Sequence, residues 1–168
     1  MLAQIASCAV VGLDGVVVEV EVDIGGGLPK MTIVGLPDAA VQESRDRVRS
    51  AVRNSGFVNP RTSVTVNLAP ASVRKEGPVY DLPIALGVLQ ELRRLPIGCL
   101  DGSMVIGELS LDGRTRHVSG VLPMAALARE EGFERVYVPA VDAPEAALIP
   151  DIEVYPVETL RQLADHLT

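Results

Sequence analysis

Residues 16–24 read VVVEVEVDI, valine alternating with glutamate or aspartate. That period of two predicts a strand with one buried and one wet face. The apolar run IASCAVVGL (5–13) precedes it, and Asp14-Gly15 between them is a hairpin signal. The Gly-rich stretch GGGLPK (25–30) breaks the chain before a third strand, MTIVGL (31–36). From residue 39 the spacing lengthens. Val41, Val48 and Val52 fall on one face of a helix over 39–54, capped by Asp38 and closed by Asn54-Ser55-Gly56. SVTVNLAP (63–70) reverts to a strand. A helix over 82–94 follows, with Asp81 as N-cap, Pro83 in the first turn, and Leu82, Ala85, Leu86 and Leu89 as its buried stripe. Two short runs, 104–111 and 114–118, flank Asp112-Gly113 as a second hairpin. The remainder predicts a helix at 121–131, a strand at 135–139, a short helix at 143–147, a strand at 152–157 and a closing helix at 158–167. Strands come first and then alternate with helices, the order of an α+β fold: a mixed sheet with helices packed on it in two layers.

The length, 168 residues, suits one domain, and 48% hydrophobic residues can build a core. No apolar run is long enough for a membrane span, which needs about 18 residues. The apolar start lacks a basic leader and continues into strand pattern, so it reads as the first strand of a cytoplasmic protein. Cys8 and Cys99 are isolated, which argues against a disulfide framework or a zinc site. The net charge of -7 and the absence of tryptophan disfavour tight non-specific nucleic-acid binding and base-stacking platforms.

Charge is nevertheless uneven. Residues 38–76 hold seven basic residues against four acidic ones, a local +3 that leaves -10 for the rest. Arg45, Arg49 and Arg53 repeat every four residues and form one stripe. The stripe is either a solvated helix face or a docking surface for an acidic partner or a nucleic-acid backbone. GGGLPKMT resembles a phosphate loop only superficially, because Lys30 stands where GxxxxGK[ST] needs glycine and a strand follows instead of a helix. His117, read as lying in a strand, and His166, on the last helix, show no metal or dyad spacing and read as surface residues. The turn Arg74-Lys75-Glu76-Gly77-Pro78-Val79-Tyr80-Asp81 opens the 82–94 helix and could hold a nucleophile at its mouth. Lys30 and Lys75 are the only lysines. Beside Glu76 in a polar turn, Lys75 is expected to stay charged, which disfavours a dyad with Ser72 or Ser119.

Three stretches carry a resemblance: VGLPDAAVQESRDRVRSAVRNSG (34–56), NLAPASVRKEGPVYDLPIALGVL (67–89) and IGELSLDGRTRHVSGVLPMAALA (106–128). Together they resemble the N-terminal domain of the ComM/YifB family, bacterial AAA+ ATPases labelled magnesium chelatase subunit ChlI-like. The resemblance implies a fold similar to the proteolytic domain of Lon, shared with a ribosomal-protein domain and GHMP kinases. It implies a single domain over 1–168, with a downstream AAA+ motor, binding ATP and Mg, that lies outside this sequence. The domain itself would use no cofactor or metal. Its partners would be its own motor, in a hexamer, and DNA through the parent protein, which drives branch migration during natural transformation. Lon enzymes use a serine in a Pro-Lys-Asp-Gly-Pro-Ser-Ala-Gly turn and a lysine after a Gly-Leu pair. The matching positions here are Val79 and Leu122, so the resemblance implies a non-catalytic accessory domain whose apolar pair seals the former site. The rival readings are a cryptic serine peptidase and a stand-alone nucleic-acid module using the arginine stripe.

Overall fold

A computed structural model describes residues 2–12 and 14–168. Strand β1 (Ala3–Val11) runs antiparallel to β2 (Asp14–Ile24), in register from Ala3↔Val22 to Val11↔Asp14. Asp14 and Gly15 thus belong to β2, paired with Val11 and Val10, and the chain reverses before them. Gly12, with φ 63°, already supplies the left-handed backbone the reversal needs. Leu13, assigned to the first strand from sequence, lies outside the described residues. The alternation of β2 has its expected cause: Val18, Val20 and Val22 are fully buried, while Glu19 and Asp23 between and beyond them face water.

Strand β4 (Ser63–Ala69) pairs antiparallel with β2, and β3 (Lys30–Val34) joins it in parallel at the sheet edge. The chain between them forms α1 (Ala39–Gln42) and α2 (Ser44–Asn54), interrupted at Glu43 where one helix was expected. Asp38 does cap: its side chain accepts from the Val41 N–H at 2.8 Å. Val41, Val48 and Val52 are all fully buried, as the spacing requires.

A 3-10 turn (Pro78–Tyr80) leads into α3 (Asp81–Glu91), every residue of which from Asp81 to Leu89 is buried. Gly87 lies over β2 so closely that a Cβ there would meet Val22 at 2.5 Å.

The second expected hairpin is divided. Strand β5 (Ser103–Val105) enters the main sheet parallel to β1 and to β8 (Arg135–Pro139). Only β6 (Glu108–Leu109) and β7 (Thr115–Arg116) pair as a small separate ribbon. The break follows from Gly107, whose N–H donates to the Val79 carbonyl while its own carbonyl accepts from Leu82 N. The chain leaves the sheet there to satisfy the start of α3. His117 accordingly lies beyond β7 and not in a strand. Helices α4 (Val121–Glu130), α5 (Ala143–Ala146) and α6 (Leu160–Leu167) and strand β9 (Glu153–Val157) complete the chain. The seven-stranded mixed sheet has the order β3-β4-β2-β1-β5-β8-β9. Among the described residues no helix is long and apolar enough to cross a membrane.

Candidate functional site

The turn before α3 is a junction of buried charge. Asp81 is fully buried, yet it caps no helix; it is the first residue of α3, and its carboxylate turns away from the helix N–H groups. Ser44 donates to its Oδ1 at 2.5 Å, and Leu109 N donates to its Oδ2 at 3.0 Å. Arg47 grips both oxygens, Nε to Oδ2 at 2.7 Å and Nη2 to Oδ1 at 3.1 Å, and also donates to the Ala40 carbonyl. A capping role is abandoned because these four donors together satisfy the carboxylate better than two exposed amides could. Burial pushes the Asp81 carboxyl above its ordinary value, against the pull of Arg47, Ser44 and the Leu109 N–H. Burial also opposes the Arg47 charge, but the Asp81 partner outweighs it and holds the guanidinium above its ordinary value. The cluster ties α2, α3 and β6 together. No spacing signal in the sequence links Ser44 or Arg47 to Asp81.

Lys75, expected beside Glu76 in a polar turn that keeps it charged, has other surroundings. It is fully buried, and its Nζ donates to the Gly35 carbonyl at 2.8 Å and to the Pro70 carbonyl. Its backbone is pinned as well, N–H to Leu36 O at 3.0 Å and carbonyl to Asp38 N at 3.0 Å. Burial lowers its pKa. Glu76 does not hold its charge, because Glu76 points out to pair with Arg74 at 3.5 Å. The turn is alternately directed: Lys75 inward beneath residues 35–38, its neighbours outward.

Two open cavities flank Val79. One, about 550 Å³, is bounded by residues 8–12 at the end of β1, Ser72 to Arg74, Tyr80 and Met124. The other, about 500 Å³, is bounded by Asp38, Gly77, Glu108, His117, Ser119 and Met124. Glu76, Val79 and Met124 line both. Lys75 lines neither, so Ser72 and Ser119 face these spaces without an amine beside them. The expected seal is not present. Val79 is buried at 6% exposure, but its apolar companion at the cavity wall is Met124; Leu122 is half-buried and lines neither cavity. Helical geometry explains this, since Leu122 and Met124 are about 200° apart around α4. Pro78 and Gly77 serve as expected in opening the helix, Gly77 with φ 78° just ahead of the 3-10 turn.

His117 is exposed, yet its Nδ1 lies 2.5 Å from Oδ1 of the buried Asp142, whose Oδ2 accepts from Val118 N at 2.9 Å. His166 rests its ring 4.9 Å from that of Tyr155. No group of three or more potential metal ligands gathers among the described residues. Cys8, at the wall of the larger cavity, is pushed up to about 12 by burial, so its thiol is inert near neutral pH.

The arginine stripe is where the helix period puts it. Arg45, Arg49 and Arg53 are all exposed on α2. Arg45 and Arg49 meet Lys30 of β3 around a third cavity of about 90 Å³, with Asn59 and Thr62 also in its wall. Arg53 lies outside it. Lys30, dismissed from sequence as part of a loop between strands, is thus brought to the stripe from another element.

Compared with known proteins, residues 20–142 match the family model described as subunit ChlI of Mg-chelatase. Over 166 residues the chain is 49% identical to an uncharacterized protein of Mycobacterium tuberculosis, covering 99% of this chain and 33% of that one. It is 40% identical over 166 residues to the competence protein ComM of Haemophilus influenzae, covering 99% of this chain and 32% of that one. A more distant similarity, 26% over 174 residues, reaches an archaeal Lon protease of Thermococcus kodakarensis, covering 98% of this chain and 27% of the protease. The chain spans about a third of the length of the first two.

Proposed function

Starting from the fact that the chain belongs to the ComM/YifB family, matched by the model of subunit ChlI of Mg-chelatase, we propose that it is a Lon-like accessory domain without peptidase activity, serving an AAA+ ATPase that acts on DNA. The observation that carries this reading is the mouth of α3. Val79, which cannot attack a carbonyl, occupies the place where the Lon resemblance expects the nucleophile. The nearest lysine in sequence, Lys75, is committed to two backbone carbonyls on the far side of the turn. A general base must reach the hydroxyl it serves within about 3 Å, and no lysine is among the residues lining either cavity.

On this reading ATP and Mg belong to a motor segment of the longer protein, and the domain needs no cofactor of its own. Its partners are that motor, copies of itself in a hexamer, and DNA. The name of the Haemophilus influenzae relative, a competence protein, supports a role in natural transformation, and branch migration is the activity proposed for the whole protein. The test is direct. The 168-residue chain is incubated with casein, with fluorogenic peptides and with a fluorophosphonate. No cleavage and no covalent label are expected; labelling of Ser72, Ser119 or any other serine would overturn the reading.

A further inference from the structure

The cavity between β3 and α2 has a composition that the chain as a whole does not. Acidic residues outnumber basic ones in the sequence, 22 to 15. Yet Lys30, Arg45 and Arg49 converge on one small concavity whose wall contains no carboxylate. They come from two elements: Lys30 opens the edge strand, and the arginines lie one turn apart on the helix. Asn59 and Thr62, from the loop before β4, complete the polar part of the wall. The amide of Asn59 donates to the Arg49 carbonyl at 3.0 Å, which fixes that loop against the helix.

The three cations are unspent. Among the described residues none of them, nor Arg53, makes a salt bridge, whereas Arg47 on the same helix is fully engaged with Asp81. Arg45 uses only its Nε, on the Gln42 carbonyl. A solvated helix face would account for an arginine stripe alone. It does not account for a lysine brought to that stripe from a strand, or for a polar loop closing the far side. Like charges gathered without a counter-charge repel each other, and an anion in their midst removes the repulsion. A volume of about 90 Å³ has room for about three waters, the scale of one phosphate group.

We infer that the Lys30–Arg45–Arg49 cavity is a phosphate site that takes one backbone phosphate of a nucleic-acid strand, with Arg53 one helical turn further on contacting the same strand. That the strand is DNA rests on the function proposed above; that the cavity takes a phosphate does not. The guanidinium forks suit phosphate oxygens, and Lys30 adds a point charge. Scarce aromatics leave the bases unread, so recognition is of the backbone and sensitive to salt.

The experiment titrates the 168-residue chain into a fluorescent single-stranded thymidine oligonucleotide at about 50 mM salt and then at rising salt. Binding is expected to be weak, about 10⁻⁴ M or weaker at physiological salt. Arg45→Gln with Arg49→Gln should weaken it at least tenfold at low salt, and should reduce the slope of log affinity on log salt by about 0.7, the contribution of one phosphate contact on a single strand. Arg93→Gln with Arg94→Gln removes the same charge elsewhere and should change affinity less than twofold. Equal losses in both variants would reduce the effect to net charge and overturn the site. Both pairs are exposed, and unchanged thermal melts will show that folding is intact. Inorganic phosphate should compete with the oligonucleotide. Polyglutamate competing as well as the oligonucleotide at equal charge would make the cavity a dock for an acidic protein. ATP binding more tightly than the oligonucleotide would reassign it to a free nucleotide; either result overturns the proposal. A chain that cleaves no peptide and binds no oligonucleotide loses this inference and keeps the accessory-domain reading. A chain that does both loses that reading and keeps this inference.

Discussion

Asp81 and Lys75 sit six residues apart, and both are fully buried charges with opposite support. Asp81 has a bidentate arginine, a hydroxyl and an amide; Lys75 has carbonyls alone. Removing the first carboxylate takes from the mostly buried Arg47 its bidentate partner and leaves it only the looser Glu43 pair at 3.8 Å and the Ala40 carbonyl. Asp81→Ala should therefore cost about 3–5 kcal/mol in urea unfolding. Asp81→Asn, whose single amide oxygen can still accept from Leu109 N while its NH2 donates to the Ser44 hydroxyl, should cost less, roughly 1–3 kcal/mol. Equal losses for the two would mean that packing and not charge dominates. Lys75 yields a pH prediction. Its folded pKa lies below the ordinary 10.5, so the folded state holds this proton more weakly than the unfolded chain. Its contribution is full above 10.5 and is lost as pH falls through the folded value. The stability of the wild type minus that of Lys75→Met should rise as pH is raised toward 10.5. Melting both proteins across that range cancels the other titrating groups, and a flat difference would contradict the burial of the amine.

Helix α3 is the element on which the others are assembled, buried on every side rather than along one stripe. Gly87 in its middle shows how packing overrides local preference. Alanine there would gain up to about 1 kcal/mol in helix propensity. It would also place a methyl 2.5 Å from Val22, a β-branched side chain with little freedom to move. Overpacking of this kind costs about 1–3 kcal/mol, so Gly87→Ala should lower stability by roughly 1–2 kcal/mol. A stabilised variant would show that β2 can give way. Periodicity revealed this helix, its apolar positions Leu82 to Leu89, and the valine faces of β2 and α2, because each is written in consecutive residues. It misplaced what depends on distant partners. Residues 104–111 look like one strand, but Gly107 must answer the Val79 carbonyl and Leu82 N–H, so the strand breaks. Asp81 looks like a cap, but Arg47, thirty-four residues earlier, claims it. The arginine stripe was legible from a spacing of four. Its partner Lys30 was not, because only the β3–β4 pairing and the loop at Asn59 bring that edge to α2. The place of Val79 at the mouth of α3 was legible as motif; the inward turn of Lys75 was not.

Across the whole molecule, four segments meet around Val79: the β1–β2 hairpin, the turn before α3, the stretch His117–Ser119 and α4. Cavities of about 550 and 500 Å³ open there, and no lysine is among the residues that line them. That contrast sets a test of whether the domain lacks two side chains or a whole catalytic arrangement. Val79→Ser with Leu122→Lys restores the residue types at the positions the Lon resemblance assigns. The serine would stand at the cavity wall. The lysine would start from a half-buried site that borders neither cavity, on a helix whose cavity-facing residue is Met124. An amine there can extend its stem along the surface and keep its charge in water, so nothing forces it toward the hydroxyl or lowers its pKa. The loss of a buried valine should cost roughly 1.5–3 kcal/mol, and the lysine little. The double variant should melt lower than the wild type and still fail to cleave casein or take up a fluorophosphonate. Val79→Ser with Met124→Lys places the amine where the cavities are, and is the variant in which labelling is expected if the remaining arrangement of amides is competent. Activity in the first variant would show that α4 can turn Leu122 inward; activity in the second alone would show that the scaffold survives with its register shifted by two residues. Silence in both, with folding intact, would mean that the donors needed to stabilise an oxyanion have been lost along with the dyad.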